Sequence, residues 1–436
     1  MFHSSACKLL AFLVCGVSLC HISWTKLNGR RYEKIYLAAF LLFSVLTFIL
    51  NSSRPAHSQF TWPPGCEQGS LPSHDPKNPS DQLIVICIPS NWNGRLVIYA
   101  HGFVPPQAPL ALPTDELTLT DGTFVHNLFL SLGFAFATSS FHKNGLAIEQ
   151  GAEDLNRLLQ YFRSVVPPRS LQRVFITGAS EGGLIALLLL ERFPGKYVAG
   201  LALCAPVGGS ANFIKYAYDF RVVFDYFFLT VFTFPPDQPS EQPFGAVDVP
   251  QNAFLFWETV YIPRILAALA ADPISTAQLF NVTKAAIDAT DPASAITTAL
   301  SLLFYSIFGT NDQIATAGGI PYDNQSTTYA GSANDAALNA EVERVESDGR
   351  PRAYARRFYQ SNGNLHAPLV TLHTTLDEVV PFQHVVNYSN LVALKGKSSF
   401  LNIVPVPRYG HCNFTSQEVF QAFARMVQEA EAQLVK

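Results

Sequence analysis

A serine at position 180 occupies a turn where its side chain could act as a nucleophile. It is the centre of a Gly-Ala-Ser-Glu-Gly sequence at 178–182, which follows the β-branched run at 174–177 and precedes an apolar run at 184–190. This pattern predicts a strand, a sharp turn and a helix. Such a turn exposes the serine Oγ and directs backbone N–H groups from the start of the helix towards the reacting oxygen. Both features are needed because a serine hydroxyl is otherwise a weak nucleophile.

An acid and a base that could activate Ser180 follow late in the chain. Asp377 comes directly after one predicted buried strand, and His411 lies in a glycine-containing loop after another. We therefore predict that Ser180 is the nucleophile, His411 the base and Asp377 the carboxylate that orients the imidazole. Glu378 is the alternative acid. Each role also has a structural alternative, because Asp377 could be a helix N-terminal carboxylate and His411 an ordinary loop histidine.

Apolar runs alternate with helical patterns on both sides of a long central stretch. We predict strands at 83–88, 95–100, 133–139, 174–178, 200–204, 369–373 and 400–404, and helices at 149–165, 181–193, 382–394 and 416–435. This alternation predicts an α/β fold with a mostly parallel central sheet flanked by helices. Ligands bind at the carboxyl ends of the strands in such sheets, where the three residues above are expected.

The alternation stops between residues 206 and 365, a stretch too long for a loop in a compact domain. Its helical periodicity predicts an inserted, mainly helical cap. The first half of the cap is rich in aromatic residues, most of which we expect in its core and the rest along an apolar substrate pocket. The predicted organisation is a targeting segment at 1–58, a first part of the core at 59–205, the cap at 206–365 and a second part of the core at 366–436.

Four segments of this chain together resemble the α/β-hydrolase superfamily. They are the His-Gly sequence with its neighbours at 100–103, the serine turn at 178–183, the acid loop at 372–381 and the Tyr-Gly-His sequence at 409–411. The chain order of nucleophile, acid and base also fits that family. The resemblance implies the α/β-hydrolase fold and acyl-enzyme chemistry without a metal or an organic cofactor. It further implies that the backbone N–H groups of Phe103 and Glu181 form the oxyanion hole.

Composition excludes several other functions. The chain has 436 residues, of which 48% are hydrophobic and 14% charged, and its formal net charge is −4. These values favour extensive burial over disorder and give no reason to expect nucleic-acid binding. No His, Cys and Asp cluster has zinc-site spacing, and no phosphate-binding loop motif occurs. We expect His101 to have a structural role in the turn at Gly102. His142, His373 and His384 are expected to be ordinary loop or strand-end residues.

The N-terminal residues predict export. An apolar stretch at 35–50 follows a basic segment at 28–34 and precedes Ala-His-Ser at 56–58, which is the pattern of a cleaved signal peptide. Cleavage after Ser58 would leave a periplasmic or extracellular chain that begins at Gln59. An uncleaved membrane anchor is the alternative, although this stretch is short for a span. Any membrane contact is then expected through this segment alone.

The remaining cysteines fit an oxidising compartment. Cys66, Cys87, Cys204 and Cys412 follow the predicted cleavage site, and four cysteines allow three pairings. We favour Cys66 with Cys87, which would tie the mature N-terminal segment to the first strand. We also favour Cys204 with Cys412, because both lie at the catalytic edge of the predicted sheet and a bridge would pin the His411 loop. Two buried free thiols are the alternative for that second pair.

Three functions remain open at this point. The leading one is an exported serine hydrolase that cleaves small-molecule or lipid-like carboxylic esters of apolar or aromatic acyl groups. The second is a serine peptidase of the same fold, for which Glu341 and Glu343 could bind a peptide terminus, although their spacing does not place them on one helix face. The third is a non-catalytic envelope or binding protein on a hydrolase scaffold.

Overall fold

The computed structural model describes residues 60–236, 242–347 and 349–434. The predicted targeting segment at 1–58 and its cleavage site lie outside the described residues. Export through that segment therefore stays a prediction.

A sheet of eight strands forms the centre of the fold. The strands are β1 (Cys66–Leu71), β2 (Gln82–Cys87), β3 (Arg95–Ala100), β4 (Ala135–Ser139), β5 (Arg173–Ala179), β6 (Ala199–Leu203), β7 (Leu369–Leu376) and β8 (Leu401–Tyr409). Their spatial order is β1-β2-β4-β3-β5-β6-β7-β8. Strand β2 is antiparallel to both neighbours, and all other pairs are parallel. The predicted α/β class and the mostly parallel sheet are therefore confirmed.

Helices cover both faces of this sheet. The α-helices are α1 (Val125–Ser131), α2 (Ile148–Val165), α3 (Glu181–Arg192), α4 (Ser210–Phe227), α5 (Ile262–Ala271), α6 (Pro273–Thr283), α7 (Ala293–Phe308), α8 (Thr310–Ala317), α9 (Asp335–Glu341), α10 (Gly349–Phe358), α11 (Gln383–Leu394) and α12 (Ser416–Leu434). Alternate residues of a strand point to opposite faces, and β3 shows this directly. Its Leu96 and Ile98 pack in one core with α2, α3 and α11, whereas Val97 and Tyr99 pack in a second core with α1 and α12.

The segment between β6 and β7 is mainly helical in its described residues. It contains α4 to α10, a 3₁₀ turn at Ala253–Phe256 and a π turn at Trp257–Tyr261. Aromatic side chains fill its interior, as Phe220 and Phe224 show by their complete burial in the core that includes α3. Most of the aromatic residues therefore stabilise the segment. Its function as a cap with the boundaries 206 and 365 stays a prediction.

One part of this segment meets the length and hydropathy criteria for a membrane span. The stretch Ala253–Ala271 has a mean hydropathy of 1.4, and α7 with α8 would qualify as a second, bent span. Core helices of soluble proteins meet the same criteria. Trp257 of this stretch lies against Phe304 and Phe308 of α7, with ring centroids 5.9 and 6.0 Å apart.

Two elements were not predicted from the sequence. Strand β1 has the sequence Cys-Glu-Gln-Gly-Ser-Leu, and its four central residues are exposed because it forms an edge of the sheet. Helix α1 spans only seven residues.

The opposite edge strand, β8, continues past its predicted end through Pro405 and Pro407. Proline is tolerated there because an edge strand does not need every N–H for pairing.

The start of α3 passes unusually close to the end of β3. A Cβ added at Gly182 would overlap the backbone oxygens of Ala100 and His101. A Cβ added at Gly178 would overlap Gly182 in turn. These two glycines therefore allow the helix to begin directly above the sheet.

Gly182→Ala is expected to lower the free energy of unfolding by about 3 kcal/mol, because the added methyl group forces helix and strand apart. The measurement is denaturant unfolding of the variant and the parent protein. Gly349→Ala is the matched control, since a Cβ at Gly349 meets nothing within 4 Å, and it should change the stability by less than about 1 kcal/mol. Equal effects at the two positions would contradict the close approach.

Candidate active site

Ser180 occupies the sharp turn between β5 and α3. Its φ is 53° and its ψ is −121°, a conformation that L-residues rarely adopt. The Ser180 N–H donates a hydrogen bond to the Leu203 carbonyl oxygen at 2.9 Å, which ties the turn to the end of β6. Strain of this kind persists only where surrounding structure enforces it, and here the packing of α3 against β3 does so. The turn predicted from the sequence is therefore present.

The three residues predicted as a triad lie in one hydrogen-bonded row. His411 Nε2 is 3.0 Å from Ser180 Oγ, and His411 Nδ1 is 2.9 Å from Asp377 Oδ2. Asp377 is completely buried and accepts hydrogen bonds from the N–H groups of Val379 and Val380 at 3.0 and 2.7 Å. The imidazole can thus accept the serine proton at Nε2 while Nδ1–H donates to a fixed carboxylate.

The surroundings of Asp377 differ from those of the adjacent Glu378. Asp377, and not Glu378, contacts the His411 ring. Burial and the adjacent Asp377 charge raise the pKa of the Glu378 carboxyl. His373, which the sequence indicated as an ordinary residue, donates from Nε2 to the Val380 carbonyl at 2.7 Å and lies 3.4 Å from Asp377 Oδ2. His373 therefore helps to hold the acid loop in place.

The charge on His411 is set by opposing influences. Burial acts to lower the pKa of the His411 imidazole. The charge and hydrogen bond of Asp377, together with the charges of Glu378 and Glu116, raise this pKa and outweigh the effect of burial. The net result is a pKa above the ordinary value of 6.5. A base with a raised pKa removes a proton more readily, provided that the solution pH keeps it neutral.

The loop after β3 lies directly beside the nucleophile. A Cβ added at Gly102 would be 3.2 Å from Ser180 Cβ. The Gly102 N–H donates to Glu116 Oε2 at 2.6 Å. Glu181 is the first residue of α3, so its N–H has no partner within the helix. The roles of Phe103 and Glu181 as oxyanion donors stay a prediction, which this placement of Gly102 supports.

Glu116 was missed by the sequence analysis. It lines the same cavity as Ser180 and His411, and burial raises the pKa of its carboxyl to about 7, although the Gly102 N–H acts to lower it. Nothing in its local sequence marks it, because Glu116 follows Asp115 in the loop at 113–120 and the two resemble any pair of solvated acidic residues. Only the tertiary contact with Gly102 shows that it positions the loop beside Ser180.

Two cavities meet at Ser180. The histidine-side cavity has a volume of about 300 Å³. Its lining includes Tyr99, Glu116, Leu119, Val125, His411 and Phe414. The small cavity has a volume of about 30 Å³ and lies towards Glu181, Ser210 and Gln313. Phe103 and Tyr305 border both cavities, and their ring centroids are 5.4 Å apart.

Both predicted disulfides are present. Cys66 is bonded to Cys87 across the β1–β2 pair, with Cα atoms 3.8 Å apart. Cys204 at the end of β6 is bonded to Cys412, with Cα atoms 5.2 Å apart. Because Cys412 follows His411 directly, this bond anchors the histidine loop to the strand beside the nucleophile turn.

Among the residues that the structure describes, two groups of side chains have donor atoms close enough to suggest a metal site. In the first, Cys204 and Cys412 flank His411, but their sulfur atoms are joined in the disulfide and offer no thiolate. The second group lies elsewhere on the fold and consists of His74, His142 and Asp154. There Arg157 Nη1 already lies 2.9 Å from His74 Nδ1 and 3.7 Å from Asp154 Oδ1. This group is therefore an ion-pair network that contains its own cation.

The glutamates considered for a peptide terminus lie away from Ser180. Glu341 and Glu343 line a third cavity with Asp225 and Phe244, and neither lines the two cavities at the serine. Glu343 Oε2 accepts a hydrogen bond from the Ala246 N–H at 2.8 Å, so it stabilises a local loop. The sequence interpretation of these residues is not supported by their position.

The ratio kcat/KM is expected to fall as the pH decreases through the pKa of His411, because only the neutral imidazole can accept the serine proton. Since that pKa is raised, the midpoint should lie above the ordinary value of 6.5. The measurement is the pH profile of ester hydrolysis at low substrate concentration. A rate that is constant between about pH 5 and pH 8 would contradict the role of His411.

Removal of the Cys204–Cys412 bond by double substitution to alanine is expected to lower kcat at least about tenfold, because the His411 loop loses its anchor. The matched control is Cys66→Ala with Cys87→Ala, which removes a disulfide far from the triad. In both variants the free energy of unfolding should fall by about 2–4 kcal/mol. If kcat changed equally in the two variants, the anchoring role would be excluded.

Similarity to known proteins is found among solved structures. No family model matches the sequence, and no curated protein does. Among solved structures, the chain is similar to an acylaminoacyl peptidase from Pyrococcus horikoshii, with 12% identity over 84% of this chain and 41% of that one and a TM-score of 0.41. It is also similar to feruloyl esterase B from Aspergillus oryzae, with 14% identity, 84% and 80% coverage and a TM-score of 0.44.

A third similar structure is Candida antarctica lipase A, with 14% identity, 83% and 81% coverage and a TM-score of 0.39. The chain spans less than half the length of the peptidase. The sheet order and the strand–serine–helix turn at Ser180 give this chain the α/β-hydrolase fold.

Proposed function

We propose that this protein is an exported serine hydrolase that cleaves carboxylic esters. One observation carries the proposal, namely the hydrogen-bonded row of Ser180, His411 and Asp377. Three residues from three separate strand ends meet with the polarity that nucleophilic catalysis needs. A purely structural hydrogen bond would not require a strained turn at Ser180.

In the first half of the reaction, Ser180 Oγ attacks the ester carbonyl carbon while His411 Nε2 accepts the Oγ proton. The buried Asp377 carboxylate stabilises the imidazolium that forms. Backbone N–H groups of Phe103 and Glu181 would stabilise the tetrahedral oxyanion, each by about 3 kcal/mol in comparable sites. His411 then donates the proton to the alcohol oxygen, and the C–O bond breaks to leave the acyl-enzyme.

In the second half, a water molecule replaces the alcohol. His411 Nε2 accepts a proton from this water as its oxygen attacks the acyl carbon. The tetrahedral intermediate collapses, the proton passes to Ser180 Oγ and the carboxylic acid is released. Every step uses groups of this chain and water, so the chemistry is complete without a cofactor.

The shape of the site supports an ester of a small molecule or a lipid-like compound. The histidine-side cavity of about 300 Å³ is lined mainly by apolar side chains and opens at Ser180. Phe213 of α4 and Tyr305 of α7 border the cavities at Ser180, so we infer that the inserted helices act as a cap over the reacting ester. The sequence predicted an apolar or aromatic acyl group, and of these two spaces only the larger has the volume for such a group.

Two observations separate this proposal from its alternatives. A peptidase of this fold usually has a group for the peptide terminus, and the candidates for that role, Glu341 and Glu343, lie in another cavity. A non-catalytic scaffold would not need the aligned triad.

The two disulfides are consistent with an oxidising compartment and so with export.

The test is hydrolysis of p-nitrophenyl esters from acetate to palmitate by the full-length protein. We expect turnover by the parent protein and a loss of at least about 10⁴-fold in Ser180→Ala, because the nucleophile is removed. Ser164→Ala is the matched control, since Ser164 is an exposed serine on α2 whose hydroxyl donates to the Tyr161 carbonyl. Equal turnover by Ser180→Ala would disprove the proposal.

The same assay distinguishes the two adjacent carboxylates. Asp377→Asn is expected to lower kcat about 10⁴-fold, because an amide favours the wrong imidazole tautomer. Glu378→Gln should retain most of the activity, since Glu378 does not contact the His411 ring. The opposite result would assign the acid role to Glu378.

A further inference from the structure

Three residues that line the small cavity beside Ser180 each have a buried polar atom without a hydrogen-bond partner among the described residues. These atoms are Glu181 Oε2, Ser210 Oγ and Gln313 Oε1. All three residues line the cavity of about 30 Å³ together with Ser180. Their side chains are almost completely enclosed, with relative exposures of 5%, 1% and 7%. Three such atoms at one cavity beside a nucleophile indicate a binding site.

Buried polar groups in native proteins nearly always have partners, because leaving one unpaired costs free energy. The Glu181 carboxyl is held in place on one side only, since its Oε1 accepts a hydrogen bond from the Ala147 N–H at 2.7 Å. Its Oε2 is left without a donor among the described residues. Ser210, at the start of α4, and Gln313, on α8, come from the inserted segment and reach the cavity from there.

The rest of the small cavity is apolar. Leu146, Ile148, Phe213 and Val380 contribute to its lining. An apolar passage with a few convergent polar atoms suits a short carbon chain that ends in a polar group. The volume of about 30 Å³ admits only a few non-hydrogen atoms.

The protonation state of Glu181 determines which polar group can bind beside it. Burial raises the pKa of the Glu181 carboxyl to about 8, while the Ala147 N–H acts to lower it and the Asp312 charge to raise it. Near neutral pH the carboxyl is largely protonated and can exchange hydrogen bonds with a hydroxyl group. A bound ammonium group would instead stabilise the ionised carboxylate.

The position of His411 decides which part of an ester occupies each cavity. As general acid, His411 must reach the oxygen of the leaving alcohol, and His411 lines the histidine-side cavity. The small cavity is lined by Glu181 and is not lined by His411. The alcohol therefore belongs in the larger space, and the acyl group points into the small cavity.

We propose that the small cavity is an acyl-binding site that selects short acyl groups with a hydroxyl or ammonium group next to the carbonyl. This inference rests on the proposed ester hydrolysis. An ammonium group could donate to Glu181 Oε2, Ser210 Oγ and Gln313 Oε1, whereas a hydroxyl group could accept from a protonated Glu181 carboxyl and donate to one of the other two atoms. The apolar or aromatic part of the substrate then lies on the alcohol side, and not in the acyl group as the sequence predicted.

The test compares three benzyl esters with acyl groups of nearly equal size, namely lactate, alaninate and isobutyrate. They carry a hydroxyl, an ammonium and a methyl group at the same carbon. Each kcat/KM is divided by the hydroxide-catalysed rate of the same ester, which removes intrinsic reactivity. We expect lactate or alaninate to exceed isobutyrate by at least about 100-fold in the full-length protein. Whichever of the two is preferred identifies the donor as hydroxyl or ammonium.

Substitutions in the cavity should reduce this preference. Ser210→Ala and Gln313→Leu are each expected to lower the ratio of donor ester to isobutyrate about tenfold. Gln150→Leu is the matched control, because Gln150 Oε1 is also buried and unpartnered among the described residues but lines a different cavity. Gln150→Leu should leave the ratio unchanged. Melting temperatures of all variants identify any that fail to fold.

The outcomes separate this inference from the proposed function. Equal corrected kcat/KM for the three esters, with turnover that depends on Ser180, would overturn the acyl-site inference and leave the hydrolase proposal standing. The acyl-site inference is also overturned if no donor ester is hydrolysed, or if the cavity variants keep the full preference. Turnover that persists in Ser180→Ala would instead overturn the proposed function itself.

Discussion

The buried charge of Asp377 is the constraint on which the site depends. A carboxylate without solvent is tolerated only when its oxygen atoms are fully paired. Here the N–H groups of Val379 and Val380 and the ring of His411 provide that pairing. The acid loop must therefore keep one conformation, and the histidine loop must remain beside it. Ser180 lies at the end of the same row, so the position of the nucleophile is linked to the solvation of a residue on another strand.

Local sequence predicted the fold well where burial and periodicity agree. The parallel strands are continuous apolar runs, and the first turn of α3 is marked by its glycines, so the strands that carry Ser180 and Asp377 were found within a few residues. The proximity of Ser180, His411 and Asp377 could be predicted because these residues follow strand ends, and the parallel strands place their carboxyl ends on one edge of the sheet. Strand β1 was not predicted, because its exposed polar residues do not form an apolar run.

The features that were missed are defined by contacts between distant parts of the chain. Glu116 becomes part of the site through the Gly102 N–H, and His373 through its approach to the Asp377 carboxylate. Glu341 and Glu343 show the converse. Their sequence suggested a site for a peptide terminus, but they line a cavity that does not include Ser180. Side-chain direction in three dimensions decides these cases, and neither residue type nor spacing encodes it.

The bond between Cys204 and Cys412 also has a consequence for the covalent connectivity of the chain. These cysteines are 208 positions apart, and the helices α4 to α10 of the inserted segment all lie between them. A single peptide-bond cleavage anywhere inside that closed ring leaves one covalent molecule. Ser180 lies just outside the ring and His411 just inside it, so a protease that nicked the surface of the insertion would not release the nucleophile from its base. For an exported protein, as proposed above, such a ring keeps Ser180, His411 and Asp377 in one covalent molecule after backbone damage.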